Sequence, residues 1–528
     1  MTSVDIVHLA SSKTTRHHGI ILWPPPSSNL DDPLRWPRWF KILALLSVAL
    51  FNFTANFAGS GLSVATPILQ MQYHKTQNQS FAVLTWNFFL LGLGNLIWVP
   101  LSTKYGKRII MLVSNCMLFT TIIWTAKAQS WNSLVASRCL SGFAAAAGES
   151  IVPGIVSDIF FLHERAAMMS IYVILAAGAT AVGPLVAAFV VAGTPGTWRD
   201  FTWICVGLAG FNAICIFLFY PESTFHRPDF RHATQPSPVH DVDKSPDAEL
   251  VETSPAQSAT ATGDATLTRT DTVVVVQQRW STIWTTTWRH NQQMSLWTAF
   301  MRPLAFLVYP AVLWTVFLYG LHLAAQVILI FVFPSLLLAP PYLFKTQYIG
   351  LIEVAALIGF LVACYGGGYI SDTITMRSIR KHEGEYQLEQ RLLSLIPGFW
   401  IAPVGCIVVA FTCAYKLHWI GISFGFAMVS FGTVYAPNIA ITYVADCYSE
   451  YAADCLVVVN AFKNLVAFIF LYVASDWVEQ SGWIQVYMVM FMLLTLILLV
   501  AIPLYFFGAK LRAASEAIYK PKVSESTQ

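Results

Sequence analysis

Twelve long apolar runs constrain this chain more than any other feature. They fall near 41–64, 81–101, 108–128, 132–159, 166–193 and 201–220, then near 303–335, 346–371, 392–415, 418–445, 455–477 and 483–507. Each meets or exceeds the roughly 20 residues a helix needs to cross the hydrocarbon core of a bilayer. In lipid the backbone must satisfy its own hydrogen bonds, so runs this long and this many fold as helices. The fold expected is therefore an all-α integral membrane protein with twelve transmembrane helices. Only 11% of residues are charged and 56% are hydrophobic, whereas about a quarter of a soluble domain is charged.

The runs divide into two sets of six. The expected divisions are an N-terminal segment 1–40, a six-helix half 41–224, a linker 225–302, a second half 303–507 and a tail 508–528. From about Phe225 to Arg279 the chain is rich in Pro, Ser, Thr, Ala and Asp and poor in aromatics, a composition that cannot bury enough apolar surface to fold. The linker is thus expected to be mostly disordered, with an interfacial helix between Trp280 and Trp297 leading back to the bilayer. Two halves of six spans imply packing around a midplane cavity and movement of one half against the other.

Charge placement orients the chain. With both termini and the linker on the cytoplasmic side, 24 of the 31 Lys and Arg residues lie inside, and only Lys75, Lys127, Arg199, Lys345 and Lys416 lie outside. Arg138 and Lys463 fall within spans. The excess persists when the long linker is discounted, as the positive-inside rule requires. The formal net charge of +3 is too small to point to nucleic acid, which is not expected as a partner. The first 38 residues lack the apolar core of a cleavable signal peptide. Trp23-Pro-Pro-Pro26 and Asp32-Pro-Leu-Arg-Trp-Pro37 are expected to be extended, with Trp23, Trp36 and Trp39 near the headgroups. The nine cysteines form no CxxC or other metal-ligand spacing and lie mostly inside apolar runs, where a thiol behaves as a small hydrophobe. No metal and no cofactor is expected, and a structural disulfide is not. Asn52-Phe-Thr lies inside a span, and Asn78-Gln-Ser is a glycosylation sequon in the short first outer loop.

Between the second and third runs stands Val99-Pro-Leu-Ser-Thr-Lys-Tyr-Gly-Lys-Arg108, a basic turn placed by charge on the cytoplasmic side. It resembles the loop between the second and third helices of major facilitator transporters, Gly-x-x-x-Asp-Arg/Lys-x-Gly-Arg-Arg/Lys. Lys104, Gly106, Lys107 and Arg108 match, while Val99 replaces the first glycine and Thr103 the aspartate. Gly366-Gly-Gly-Tyr-Ile-Ser-Asp372 echoes the turn in the second half, where Gly368 and Asp372 keep the glycine and aspartate spacing. Arg138-Cys-Leu-Ser-Gly142 resembles the family's fourth-helix Arg-x-x-x-Gly motif, whose arginine is tied to proton coupling. Gly183-Pro184 resembles the core of the fifth-helix antiporter motif, with Ala187 in place of its last glycine. Glu389-x-Arg391-Leu392 is typical of fungal carriers and is expected to form a cytoplasmic charge latch. Asp-Pro-x-x-Trp-Pro before the first span, Trp198-Arg199 and Pro221-Glu222 resemble the fungal drug:proton antiporter-like branch. Asp446, Asn460 and Lys463-Asn464 resemble its polyamine and organic-cation carriers. The fold implied is the major facilitator fold of two six-helix halves.

Ionisable groups inside spans are costly and need partners, which makes them the first candidates for function. Arg138 and Glu149 are eleven residues apart, almost three helical turns, and so share a face with Gly142 and Ala145 between them. Glu149 is a candidate proton carrier or anchor for a cationic substrate. Lys463 lies about two turns inside its span and requires a carboxylate, a carbonyl or water nearby. His322 and Gln326, four residues apart on one face, are candidates for lining the cavity together with Asn460. Isolated asparagines such as Asn52, Asn87 and Asn95 read more readily as interhelical glue. Glu353, early in its span, is expected at the outer mouth. Trp86, Tyr309, Trp314 and Tyr435 are aromatic candidates for holding a bulky or cationic ligand.

The resemblance implies a proton-coupled secondary transporter that exports a hydrophobic or amphipathic small molecule, such as a drug or secondary metabolite. Uptake of an organic cation or polyamine is the alternative, and a transporter-like receptor or a polytopic membrane enzyme ranks lower. Against an enzyme, the chain lacks H-E-x-x-H, G-x-S-x-G and Walker A motifs. The expected partners are a small-molecule substrate, protons and the lipid bilayer, and the expected unit is a monomer in the plasma membrane.

Overall fold

The computed structural model describes residues 16–17, 20–21, 32–193, 198–225, 295–381, 388–448 and 451–525. The linker between 226 and 294, Trp23 and the last three residues therefore lie outside the described residues. Twelve helices among the described residues are long and apolar enough to span a membrane. They are α1 (Arg38–Gly61), α2 (Gln77–Tyr105), α3 (Lys107–Lys127), α4 (Trp131–Ile159), α5 (Ala167–Gly193) and α6 (Trp198–Phe219), followed by α7 (Pro310–Leu338), α8 (Thr346–Gly368), α9 (Leu388–Ala414), α10 (Trp419–Cys447), α11 (Ala452–Ala474) and α12 (Asp476–Ser515). The only strands among the described residues are a two-residue antiparallel pair, Arg16–His17 with Ile20–Ile21.

Local chemistry sets several boundaries. Thr76 and Gln79 form a reciprocal capping box at the start of α2. Ser130 caps α4, and Pro310 opens α7, where its missing N–H costs nothing. The seventh span starts later than the sequence reading placed it. A short helix, Leu296–Ala305, and a 3-10 turn, Phe306–Val308, precede Pro310, because Pro303 and Pro310 interrupt the apolar pattern. Only the first two residues of this short helix and its cap Ser295 overlap the expected interfacial segment, whose residues 280–294 lie outside the described residues. Asp32 accepts a hydrogen bond from the Leu34 N–H at 3.0 Å and caps a 3-10 turn at Pro33–Arg35, so this stretch is folded and not extended. Its Trp36 is buried, while Trp39 stays exposed.

Connections α2–α3, α4–α5, α8–α9 and α10–α11 lie at one end of the bundle, called here the basic end after its α2–α3 turn. One apolar cluster fills the first half, joining Phe40, Phe51, Met111, Ile155, Phe201 and Ile216 among others. A second fills the other half but also takes in Leu62, Leu69, Phe81, Leu84 and Val191 from the first. Those residues sit at the end opposite the basic end, so the halves share a continuous core there. Phe331 of α7 packs against Phe81 and Phe88 of α2 with ring centroids 6.2 and 6.5 Å apart. Nearer the basic end a small separate cluster of Leu96, Val457 and Ala461 joins α2 to α11. The two helices approach closely at Gly92, where an added Cβ would lie 2.9 Å from the Ala461 carbonyl oxygen.

Candidate functional site

The interior brings together groups that are far apart in sequence. Glu149 on α4 and Lys463 on α11 form an ion pair of 2.5 Å that joins the two halves, with side-chain exposures of 19% and 4%. The Asn95 amide on α2 donates to Glu149 Oε2 at 3.0 Å, and the Asn464 amide on α11 donates to the same oxygen at 2.8 Å. Asn95 also donates to the Asn460 carbonyl at 3.3 Å. Lys463 Nζ stands 3.9 Å from the centroid of the Tyr319 ring on α7, a cation–π contact strengthened by exclusion of water. Tyr172 on α5 donates to the Gly148 carbonyl at 3.2 Å and accepts from the Asn52 amide at 3.0 Å. Five helices beyond α4 thus converge on the neighbourhood of Glu149. A partly buried carboxylate held by a cation and two amide donors has the compensation its desolvation demands.

Other sequence candidates are placed elsewhere. Arg138 is buried, and its guanidinium donates to the Gly59 carbonyl of α1 at 3.1 Å. It shares a helix face with Glu149 yet reaches a different neighbour. Gly142 between them packs against the Asn87 backbone of α2, so that face serves close helix contact. His322 is buried with Nδ1 2.7 Å from the Leu318 carbonyl, and its ring lies against Gly432 of α10. Gln326 is buried one turn further along α7. Gly183 meets Phe57 and Ser60 of α1, so the Gly183-Pro184 step packs inside the first half. Tyr309 and Trp314 pack within the second half, against Tyr448 and the Ile497 carbonyl. The Tyr435 hydroxyl donates to the Ser394 carbonyl. Trp86 lies on the α2–α11 seam beside Phe468.

The basic end carries its own network. Gly106 joins α2 to α3 with φ +95°, a conformation that favours glycine. Its added Cβ would lie 2.5 Å from Glu222 Oε2, so the turn also needs the space. Glu222, just past α6, accepts from the Lys107 and Arg108 N–H groups at 3.1 Å each. A carboxylate there satisfies free N–H groups and the positive end of the α3 dipole. Lys107 pairs with Asp158 of α4 at 2.6 Å, and Arg108 donates to the Phe217 carbonyl at 3.2 Å. The Lys104 ammonium lies 5.9 Å from the Tyr105 ring centroid. In the second half the helix continues through Gly368 to Lys381, and an added Cβ at Gly368 would meet nothing within 4 Å. The Asp372 side chain lies outside the described residues. The corresponding ion pairs there are Arg391–Asp446 at 2.5 Å and Arg512–Glu389 at 3.3 Å, tying the start of α9 to the ends of α10 and α12.

Residues 48–471 match the sequence profile of the Major Facilitator Superfamily. The chain belongs to this superfamily. This major facilitator transporter is 23% identical over 547 residues to Protein HOL1 of Saccharomyces cerevisiae, covering 96% of the chain and 92% of that protein. It is 25% identical over 444 residues to the major facilitator superfamily multidrug transporter FLU1 of Candida albicans, covering 81% of the chain and 64% of the relative. Its fold is similar to that in the crystal structure of the human organic anion transporter MFSD10 (TETRAN), with a TM-score of 0.58 and 14% identity. That match covers 88% of this chain and all of the other. The fold and relatives are those of membrane transporters, not enzymes.

Within this major facilitator transporter, sequence reading singled out Glu149, Lys463 and Asn460 separately but did not pair them. It treated Asn95 as glue and left Tyr319 and Asp158 unmentioned. The available signal was Lys463 itself, because a lysine deep in a span demands an acid and the spans hold few.

Proposed function

We propose that this transporter is a proton-coupled exporter of a hydrophobic or amphipathic small molecule, and that Glu149 carries the coupling. The observation that supports this reading is the Glu149–Lys463 pair joining the halves. Protonation of Glu149 removes one charge of the pair and frees Lys463, which must then find water or a ligand group in the interior. The α2–α4–α11 junction loosens, and the halves rock about it. Reformation of the pair resets the cycle, so proton and substrate occupy the junction in alternation. Arg138, anchored on α1, is a positioning group for α4 in this scheme.

The positive-inside count supports a cytoplasmic basic end, with the shared apolar core on the outer side. The arrangement described is then closed toward the outside. The Lys107–Asp158, Glu222–α3, Arg391–Asp446 and Arg512–Glu389 contacts act as latches within each half, keeping helix ends together as the halves move. A multidrug label on FLU1 supports export of apolar compounds. Uptake of an organic cation is supported by a different observation. The Lys463 ammonium already sits between a carboxylate and the Tyr319 ring, a cradle that a substrate ammonium would suit.

The test is flux in proteoliposomes of inverted orientation with an imposed pH gradient, using tetraphenylphosphonium, a neutral dye and spermidine. Accumulation driven by an acidic lumen and lost in Glu149→Gln supports export by proton exchange. Flux indifferent to the gradient, or unchanged in Glu149→Gln, overturns it. Movement of spermidine alone, with the opposite polarity, selects the uptake reading.

A further inference from the structure

Glu353 on α8 is the other carboxyl in the interior, and the mechanism above does not use it. It is 1% exposed, and neither of its carboxyl oxygens has a hydrogen-bond partner among the described residues. It follows Thr346, the first residue of α8, by seven positions, so it lies about 10 Å in from the outer end at 1.5 Å per residue. Its neighbours on the same helix face locate it. An added Cβ at Gly350 would lie 2.6 Å from Ala188 Cβ and 3.1 Å from Leu185 of α5, and one at Gly178 of α5 would lie 3.6 Å from Leu357. Positions 350, 353 and 357 recur at helical spacing, which puts Glu353 along the α5 side of α8, where the two halves meet.

Among the described residues no cation pairs with it. The α5 stretch 178–191 carries no ionisable side chain, and α10 offers only Tyr435 and Tyr443 before Asp446. From α7 the titratable groups are His322, packed against Gly432, and Tyr319, beneath Lys463. Glu389 and Arg391 at the start of α9 are committed to Arg512 and Asp446 at the basic end. On its own helix, Tyr348 and the preceding Lys345 are exposed. Burying an unpaired carboxylate is costly even after relaxation, while the neutral acid buries at far lower cost.

We infer that Glu353 is a proton-binding site that gates the outer α5–α8 seam: the seam closes over the acid and opens when the acid ionises. Low pH favours the closed seam, because the proton stays on Glu353. Raising the pH transfers the proton to water and leaves an anion that the apolar seam cannot hold, so the outer end separates. The inference rests on the proposed alternating movement of the halves, but its test needs no substrate and no flux.

The test places spin labels at Ala192, the exposed end of α5, and at Lys345 before α8, in a background without reactive cysteines, in nanodiscs. Interspin distances are measured across a pH series. The parent is expected to gain a longer-distance population as pH rises. Glu353→Gln, a permanent mimic of the acid, is expected to stay at the short distance throughout. Glu353→Asp is expected to restore the pH dependence. A parent whose distances ignore pH, or a Glu353→Gln variant that still opens like the parent, overturns the gate. If the gate holds while flux ignores the pH gradient, proton-coupled export fails and the seam switch stands.

Discussion

Glu149 and Glu353 stand one in each half of the same bundle and live in opposite surroundings. Glu149 has a lysine at 2.5 Å and two amide donors on one oxygen, and those partners come from α2 and α11. Glu353 has apolar helix faces around it and no partner for either oxygen among the described residues. The same functional group therefore has charged and amide partners in one place and none among the described residues in the other. Charge at the first site ties the halves together, whereas charge at the second would push them apart. Under the two proposals above, protonation at the two sites would have opposite consequences for closure.

The largest effect should come from isolating the charge at the first site. Lys463→Ala leaves Glu149 without its cation and should destabilise the protein by about 3–5 kcal/mol, read as a lowered thermal midpoint in detergent. The double variant Lys463→Ala with Glu149→Gln should recover much of that loss, and failure to recover would mean that Lys463 contributes chiefly through packing. Next, Asn464→Leu removes one donor to Glu149 and should cost about 1–3 kcal/mol, with flux reduced in the same assay. At the basic end, Arg391→Gln breaks a partly exposed pair. It should cost about 0–1 kcal/mol, and a larger loss would mark that latch as structural. Glu353→Gln should have the smallest effect on stability, because no partner is lost. A drop of several kcal/mol in that variant would show that Glu353 is paired, and the contrast between the two carboxyls would collapse.

The Gly106 turn shows how a local motif can be incomplete in sequence and complete in space. Thr103 stands where related hairpins carry aspartate, yet acids are supplied by Glu222 and Asp158, 115 and 51 residues beyond Lys107. The echo in the second half behaves in reverse. Gly368 keeps the expected spacing, but the helix runs on through it and the ion pairs form at Arg391 and Arg512. Spacing along a chain reports which residues share a turn or a face, and it is silent on which helix arrives opposite that face. For the same reason His322 and Gln326 were legible as neighbours on α7, while the packing of His322 against Gly432 was not.

The sequence by itself determined that this chain is a twelve-span helical membrane protein, because bilayer thickness and backbone hydrogen bonding leave an apolar run of that length little choice. It also determined that Arg138, Glu149, Glu353 and Lys463 would be exceptional, since each sits inside such a run. Only the tertiary structure decided their fates. Glu149 met Lys463, 314 positions further along the chain, Arg138 met a backbone carbonyl, and Glu353 met apolar helix faces. The reason is physical: the cost of burying a charge is set by the residue and its depth, but the compensation comes from whichever helix packs beside it.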